Sequence, residues 1–218
     1  MDYLVAAWQY VQGNWGEFSA AVTRHVQYCV LALVIAMVIC IPLGILAARS
    51  RVVSLATLNV FGAARAVPSI AILFLMIPIP GLGFSFTSVL IALTILACPP
   101  ILVNTAAGFQ NVDTAVVEAA RGMGMGGWQV LRRIELPLAL PVVLAGIRTA
   151  TLEVIASATL ATFLTGGGLG DLITQGLGNI GNTQQVGVLL AGAITVALLA
   201  LGAEVIFGAL QRAISPSV

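Results

Sequence analysis

The chain has 218 residues, of which 60% are apolar and only 8% charged, and its formal net charge is +1. A soluble domain carries about 25% charged residues, so this composition excludes a water-covered globule and predicts a protein embedded in lipid. Without a basic tract, nothing indicates nucleic-acid binding. The three cysteines lie singly in apolar runs and the one histidine has no Cys or His nearby, so neither a disulfide framework nor a metal site is predicted.

The N-terminal segment, residues 1–23, is predicted to lie at the outer membrane surface. Its Trp8 and Trp15 suit the headgroup layer, where aromatic rings are enriched. The segment has no basic n-region, so it is not expected to be a cleavable signal peptide.

Five apolar stretches come after this segment, and a helix needs about 20 such residues to span a bilayer. They are expected at Val26–Ala48, from residue 66 to near Pro78, from about Thr87 to Phe109, from about Leu136 to Leu164 and from about Val186 to Leu210. The Pro- and Gly-rich stretch 78–83 divides the second from the third. The sequence therefore predicts an all-α membrane protein with five transmembrane helices in one membrane domain, residues 24–212.

The distribution of arginine predicts the orientation of these spans. The loops 78–85 and 165–185 contain no basic residue. The arginines of the opposite side are Arg49, Arg51, Arg121, Arg132, Arg133 and Arg212. Because basic residues favour the cytoplasmic side, the N-terminus is expected outside and the C-terminus in the cytoplasm. Arg24, just before the first span, is the exception.

The polar stretch 110–135 is predicted to form a helix outside the membrane, between the third and fourth spans. Asp113 suits the N-cap of a helix from Thr114 to Met123, and Gly124 suits the left-handed residue that ends it. Glu118 and Arg121 are three residues apart and are expected to pair. The product is a short cytoplasmic handle that another protein can bind.

A second short helix is expected from Trp128 to Ile134, with Pro137 in the first turn of the next span. The letters EAARGMGMGGWQVLRRIELP resemble the EAA loop of ABC importer permeases at every position that this motif specifies. Those positions are Glu118, Ala119, Ala120, Gly124, Ile134, Leu136 and Pro137, with Arg121 beside them.

The resemblance covers residues 24–212 and implies a permease of the bacterial cytoplasmic membrane. In that family the loop is a coupling helix that docks into an ABC ATPase subunit. The implied partners are therefore ABC ATPase subunits, a second permease subunit (identical or related), an extracytoplasmic substrate-binding protein and the lipid bilayer. The chain contains no P-loop, so it is expected to be no enzyme and to hold no cofactor, with ATP and Mg bound by the ATPase.

Two further stretches bear on the substrate. The segments 65–68 (RAVP) and 166–171 (GGGLGD) are similar to those of permeases for quaternary-amine compatible solutes such as glycine betaine, choline or carnitine. Methionine-type permeases share a similar GGLG stretch, so a permease for methionine or another amino acid stays open. Few aromatic residues cluster in the spans, so no cage for a quaternary ammonium is indicated within this subunit. Selection is expected in the binding protein.

Charged residues inside the predicted spans are candidates for a pathway or a gate. Arg148 and Glu153 lie in the fourth span, and Arg65 and Glu204 are possible partners for them. A structural ion pair that fixes helix packing is an equally open interpretation.

Two other classes of membrane protein are also considered. An ATP-independent secondary transporter predicts inverted repeats, which are not found. An intramembrane enzyme lacks a catalytic constellation, because the spans contain no Lys and no Asp.

Overall fold

The computed structural model describes residues 2–50, 52, 54, 69–76, 78–83, 85–165, 167–178 and 180–214. Every regular element assigned among these residues is helical. The helices are α1 (Asp2–Gly13), α2 (Trp15–Arg49), α3 (Ser69–Met76), α4 (Phe86–Gln110), α5 (Thr114–Gly122), α6 (Gly127–Val130), α7 (Leu136–Thr165), α8 (Leu169–Leu177) and α9 (Thr183–Ile214). A π-helical turn, Leu131–Glu135, joins α6 to α7.

Four helical stretches in the described part of the chain are long and apolar enough to cross a membrane. They are Trp15–Arg49, Phe86–Gln110, Gly127–Thr162 and Thr183–Ile214. They match the predicted first, third, fourth and fifth spans, so the all-helical membrane fold is confirmed. Of the predicted second span, residues 66–68 and 77 lie outside the described residues, and the described part forms α3 over Ser69–Met76, which alone is too short to cross a membrane. The total of five spans therefore stays a prediction.

Three helices, α2, α4 and α7, form the core through small residues. On α2, Ala32, Ala36, Cys40 and Gly44 recur every fourth residue, share one face and are buried. A Cβ atom at Gly44 would stand 2.6 Å from the Thr105 Cβ atom of α4, so the two backbones nearly touch. Apolar side chains gain little from leaving lipid, and close backbone approach of this kind supplies the van der Waals contact that joins membrane helices.

The α4–α7 contact is equally close. A Cβ atom at Gly146 of α7 would lie 2.7 Å from the carbonyl oxygen of Pro100 and 2.6 Å from the Asn104 Cβ atom, both on α4. Asn104 Nδ2 donates to that same Pro100 oxygen at 2.8 Å. Helix α4 continues through Pro99 and Pro100, because neighbouring polar groups can satisfy the backbone that a proline leaves free.

The N-terminal segment contains helix α1, and its place at the outer membrane surface stays a prediction. Ala6 and Ala7 are buried, and a Cβ atom at Gly187 of α9 would lie 2.7 Å from the Ala6 carbonyl carbon. Helix α1 therefore packs against α9. In addition, α2 begins at Trp15, well before the predicted start of the first span at Val26.

The predicted polar loop 165–185 contains the nine-residue helix α8. Leu169 and Leu172 of this helix are fully buried and contact Ala21 of α2. Thr162 Oγ1 accepts a hydrogen bond from the Gly170 N–H at 3.1 Å, which fixes the start of α8 to the end of α7. In the sequence the apolar residues of α8 are separated by glycines. In the helix they form one face, which packs against the rest of the structure.

The close approach at Gly146 predicts an inversion of the usual effect of Gly→Ala in a helix, which is a gain of roughly 0.5–1 kcal/mol. We expect Gly146→Ala to lower the free energy of unfolding by about 1–3 kcal/mol, because the new methyl group meets backbone. Gly202→Ala in α9 is the matched control, since no heavy atom lies within 4 Å of its Cβ position. The melting temperatures of both variants are measured on the detergent-solubilised chain, with loss of the folded protein monitored by gel filtration. Equal melting temperatures for the two variants would contradict the packing described.

Candidate functional site

The loop between α4 and α7 contains the predicted helix, which begins at Thr114 as predicted and ends at Gly122, one residue before the predicted end. Asp113 Oδ1 accepts from the Ala115 N–H at 2.8 Å and caps α5. Gly124 has φ of 85°, its N–H donates to the Arg121 carbonyl at 2.9 Å, and the Met125 N–H donates to the Ala120 carbonyl at 3.1 Å. These two bonds form a Schellman motif, in which a left-handed glycine closes the helix. The end of α5 is therefore fixed by local geometry.

The motif residues divide into a buried support and an exposed face. Ala120 is buried beneath α5, whereas Glu118, Ala119, Arg121 and Gly124 are exposed. The expected ion pair between Glu118 and Arg121 is not formed, although the structure describes both side chains. The physical reason is that an exposed pair three residues apart gains only a few tenths of a kcal/mol, about what ordering the side chains costs. Both charges are thus exposed on the loop surface.

Large apolar side chains are also exposed on this loop. The exposed fractions are 42% for Val116, 77% for Met123 and 71% for Trp128. Grouped apolar surface on a polar loop is typical of a protein interaction site. The loop therefore combines an exposed helix, free charges and apolar anchors.

The second predicted helix is different in the structure. It is α-helical only over Gly127–Val130, where Gln129 Oε1 accepts from the Gly126 N–H at 3.0 Å. It does not end at Ile134, because the π turn runs directly into α7, with the Leu136 N–H donating to the Leu131 carbonyl. Pro137 has no N–H to donate, so a regular α-helical ladder is already interrupted there. Ile134 is half-buried in the wide turn, and Leu136 and Pro137 begin α7.

A groove of about 350 Å³ separates α5 from the end of α2. Glu118 and Arg121 line it on the loop side, and Arg49 and Glu135 line it on the membrane side. Arg49 Nη2 lies 2.8 Å from Glu135 Oε2. Sequence reasoning missed this pair, because Glu135 occupies the one unspecified position between Ile134 and Leu136. No local signal reveals it, since the two residues meet only in the folded chain.

Arg148 forms an ion pair with Glu204, one of the two partners considered for the intramembrane charges. Its Nε donates to Glu204 Oε2 at 2.8 Å, its Nη2 contacts Oε1, and its Nη1 donates to Gln211 Oε1 at 2.9 Å. The two charged side chains are 34% and 37% exposed and line a cavity of about 630 Å³. The bonds join α7 to α9.

The other predicted pathway residues are Arg65, which lies outside the described residues, and Glu153, which is half-buried on α7. The pathway or gating role of Arg65, Arg148 and Glu153 stays a prediction.

Arg24 lies in the N-terminal third of α2, about 37 Å from Arg49 along the helix. Gly167, with φ of 85°, comes so close that a Cβ atom there would lie 3.0 Å from Arg24 Cδ. The Gly167 N–H donates to Asp171 Oδ2 at 3.2 Å. A cavity of about 500 Å³ is lined by Glu17, Arg24 and Asp171. The exception in the arginine distribution therefore packs on the glycine-rich loop, of which Gly166 lies outside the described residues.

The Arg148–Glu204 geometry predicts coupling between the two residues. We expect Arg148→Met alone to lower the free energy of unfolding by about 1–2 kcal/mol, between the values for exposed and buried pairs, because Glu204 loses its partner. The double variant Arg148→Met/Glu204→Met should recover at least half of that loss. A double-mutant cycle on thermal melting measures this, with Arg212→Met as a control on the same cavity. Strictly additive losses would show that the pair contributes no mutual stabilisation.

Residues 40–216 match a family model described as binding-protein-dependent transport system inner membrane component. The carnitine transport permease protein OpuCD of Listeria monocytogenes is 37% identical over 216 residues, covering 99% of this chain and 95% of the relative. The glycine betaine/carnitine/choline transport system permease protein OpuCB of Bacillus subtilis is 35% identical, covering 95% of this chain and 93% of the relative. The osmoprotectant import permease protein OsmW of Salmonella typhimurium is 32% identical, covering 95% and 96%.

Solved structures show the same fold. A chain of the inward-facing MetNI methionine ABC transporter superposes with a TM-score of 0.75 at 24% identity, covering 89% of this chain and 94% of that one. A chain of an amino acid ABC transporter with histidines gives 0.70 at 18% identity, covering 96% and 95%. With the loop motif, the family model and the relatives in agreement, this chain belongs to the family of binding-protein-dependent transport system inner membrane components.

Proposed function

We propose that this chain is the membrane-spanning permease subunit of an ATP-driven importer and that the loop between α4 and α7 docks its ATPase. The observation that carries the proposal is α5, an exposed helix held at both ends and bearing the EAA residues. Exposed Val116, Met123 and Trp128 supply apolar contact for a partner. On this proposal the chain has no cofactor of its own, and ATP and Mg are bound by the ATPase subunits.

The proposed topology has five spans in one domain, residues 24–212, with the N-terminus outside and the C-terminus in the cytoplasm of a bacterial cell. The contact between Arg49 and Glu135 supports it, because it puts the end of α2 beside the arginine-bearing loop. Arg24 and Gly167 lie at the far end of the same bundle. Basic residues favour the cytoplasmic side, so the loop is assigned there.

The proposed pathway runs between this chain and a second permease, identical or related. Apolar faces of α2 and α9 support this, since Val34, Val38, Leu201 and Val205 are all exposed in the single chain. In the assembled transporter these faces contact lipid or the second permease. Closure of the ATPase subunits would move α5 and change the opening of the pathway, which requires loop contacts that differ between the two states.

The proposed substrates are quaternary-amine osmoprotectants such as glycine betaine, choline or carnitine. Support comes from the relatives named for these solutes, which align over nearly the whole chain at 35–37% identity. An extracytoplasmic binding protein would select the solute and deliver it, since a quaternary ammonium is normally held by several aromatic faces and few aromatic residues lie in the spans.

Reconstitution tests the function directly. The chain is co-purified in detergent with the ATPase and permease encoded beside it and placed in liposomes with the neighbouring binding protein. We expect a stable complex whose ATP hydrolysis rises severalfold with binding protein loaded with glycine betaine, choline or carnitine, because the loaded protein favours the state that hydrolyses ATP. An ATPase with its P-loop lysine replaced is the control for background hydrolysis.

The outcomes separate the alternatives. If the complex forms but only methionine or another amino acid stimulates hydrolysis, the importer assignment holds and the substrate class is wrong. If no ATPase associates and solute still crosses the liposome membrane, the chain is an ATP-independent transporter.

The left-handed glycine gives a sharper test of the loop. We expect Gly124→Val to reduce stimulated ATP hydrolysis about tenfold, since a residue with a side chain pays about 1–2 kcal/mol or more in this conformation and the end of α5 shifts. Gly122→Val is the matched control, because its Cβ position is equally open and its φ is not positive. It should retain at least half of the activity, and both variants should insert normally. Equal stimulated ATP hydrolysis in the two variants would show that the loop takes no part in coupling.

A further inference from the structure

The end of α2 and Ser54, which lies five residues beyond it, contact the two stems of the loop that carries α5. Gln110, the last residue of α4, donates through Nε2 to Ser54 Oγ at 3.4 Å. Glu135, the last residue of the π turn, accepts from Arg49 Nη2 at 2.8 Å. The loop therefore leaves and re-enters the bundle beside the same short stretch of chain.

The Arg49–Glu135 contact lies beyond the region where the helix backbones approach closely. Gly44 marks the close contact of α2 with α4, and Arg49 lies five residues, or about 7.5 Å, further along the helix. Towards the loop, α4 and α7 also approach closely at Gly108, where a Cβ atom would lie 3.0 Å from the Ala139 carbonyl oxygen. Glu135 precedes Ala139 by about one turn on the same face. The ion pair thus joins α2 to the start of α7 at their loop ends.

The two members of the pair have different environments. The Glu135 side chain is only 14% exposed, whereas that of Arg49 is 54% exposed. A carboxylate removed from water in this way depends on its partner, since an unpaired buried charge is strongly unfavourable. Arg132 and Arg133 of the same π turn are exposed, yet Glu135 bonds the arginine of another helix. The contact is therefore a tertiary one.

We propose that the Arg49–Glu135 ion pair is a tie that carries movement of the loop to α2, with Glu135 as a positioning residue outside the ATPase-docking surface. The inference rests on the proposed function, since it supposes that an ATPase moves the loop. Displacement of α5 pulls on the π turn, and the charge-assisted bond passes that displacement to α2. Without the bond, movement reaches the loop end of α2 mainly through its packing on α4. Because α2 also bears Arg24 in its N-terminal third, the tie connects the loop to the helix that contacts the glycine-rich loop.

The test uses the complete transporter in liposomes and compares solute moved per ATP hydrolysed. Glu135→Gln and Arg49→Gln each keep much of the side chain and remove the charge. We expect each to bind the ATPase normally and to lower the transport-to-hydrolysis ratio about fivefold, a change typical of residues along a coupling route. The charge reversal Arg49→Glu/Glu135→Arg should restore much of the ratio. Arg133→Gln, an exposed neutralisation in the same turn, should leave it unchanged.

Several results would overturn the tie. They are an unchanged ratio in Glu135→Gln, a reversal no better than the single variants, or an equal loss in Arg133→Gln. Loss of ATPase binding by Glu135→Gln would also overturn it, because Glu135 would then belong to the docking surface.

Failure of the proposed function has a different signature, since the parent chain itself would bind no ATPase. A double-mutant cycle on thermal melting of the chain alone then decides whether Arg49 and Glu135 are coupled. Non-additive losses support the tie as a contact of the fold, and additive losses dismiss it.

Discussion

Close contact between helix backbones holds the α2–α4–α7 core, because lipid tails are as apolar as leucine and burial alone gives little reason for helices to associate. At Gly44, Gly108 and Gly146 a Cβ atom would lie within 3.1 Å of the backbone of the facing helix. The core also positions the exposed loop, since α4 and α7 are the helices from which this loop emerges. A small displacement of either helix at its loop end would move the whole of α5.

The exposed loop is ordered by bonds of its own in addition to the burial of Ala120. Asp113 closes one end of α5 and Gly124 the other, and both act through backbone groups within a few residues. As a result, α5 can present Glu118 and Arg121 to solvent without losing its shape. A rigid element on a rigid core fits a site that receives force from a partner, because a flexible loop would absorb the displacement.

The features that the sequence predicted are those decided locally. The spans follow from apolar composition, and the ends of α5 follow from one aspartate and one glycine. The features it missed need distant residues to meet. Arg49 contacts Glu135 and α1 contacts α9, and the local sequence pattern predicts neither contact. The sequence also does not predict the π turn, because the wide geometry of this turn depends on how α7 packs. Glu204 was predicted only as one of two possible partners, with Arg65, for the charges of the fourth span, and the structure pairs it with Arg148.

The packing of α1 on α9 has a consequence for the order in which the protein is made. Helix α1 leaves the ribosome early, whereas α9 follows only after the whole stretch between Gly13 and Thr183. At about 5–20 residues per second, roughly ten to thirty seconds of synthesis separate them. During that interval Ala6 and Ala7 have no α9 to contact, so α1 contacts lipid or the insertion machinery instead. The contact between α1 and α9 therefore forms late in synthesis.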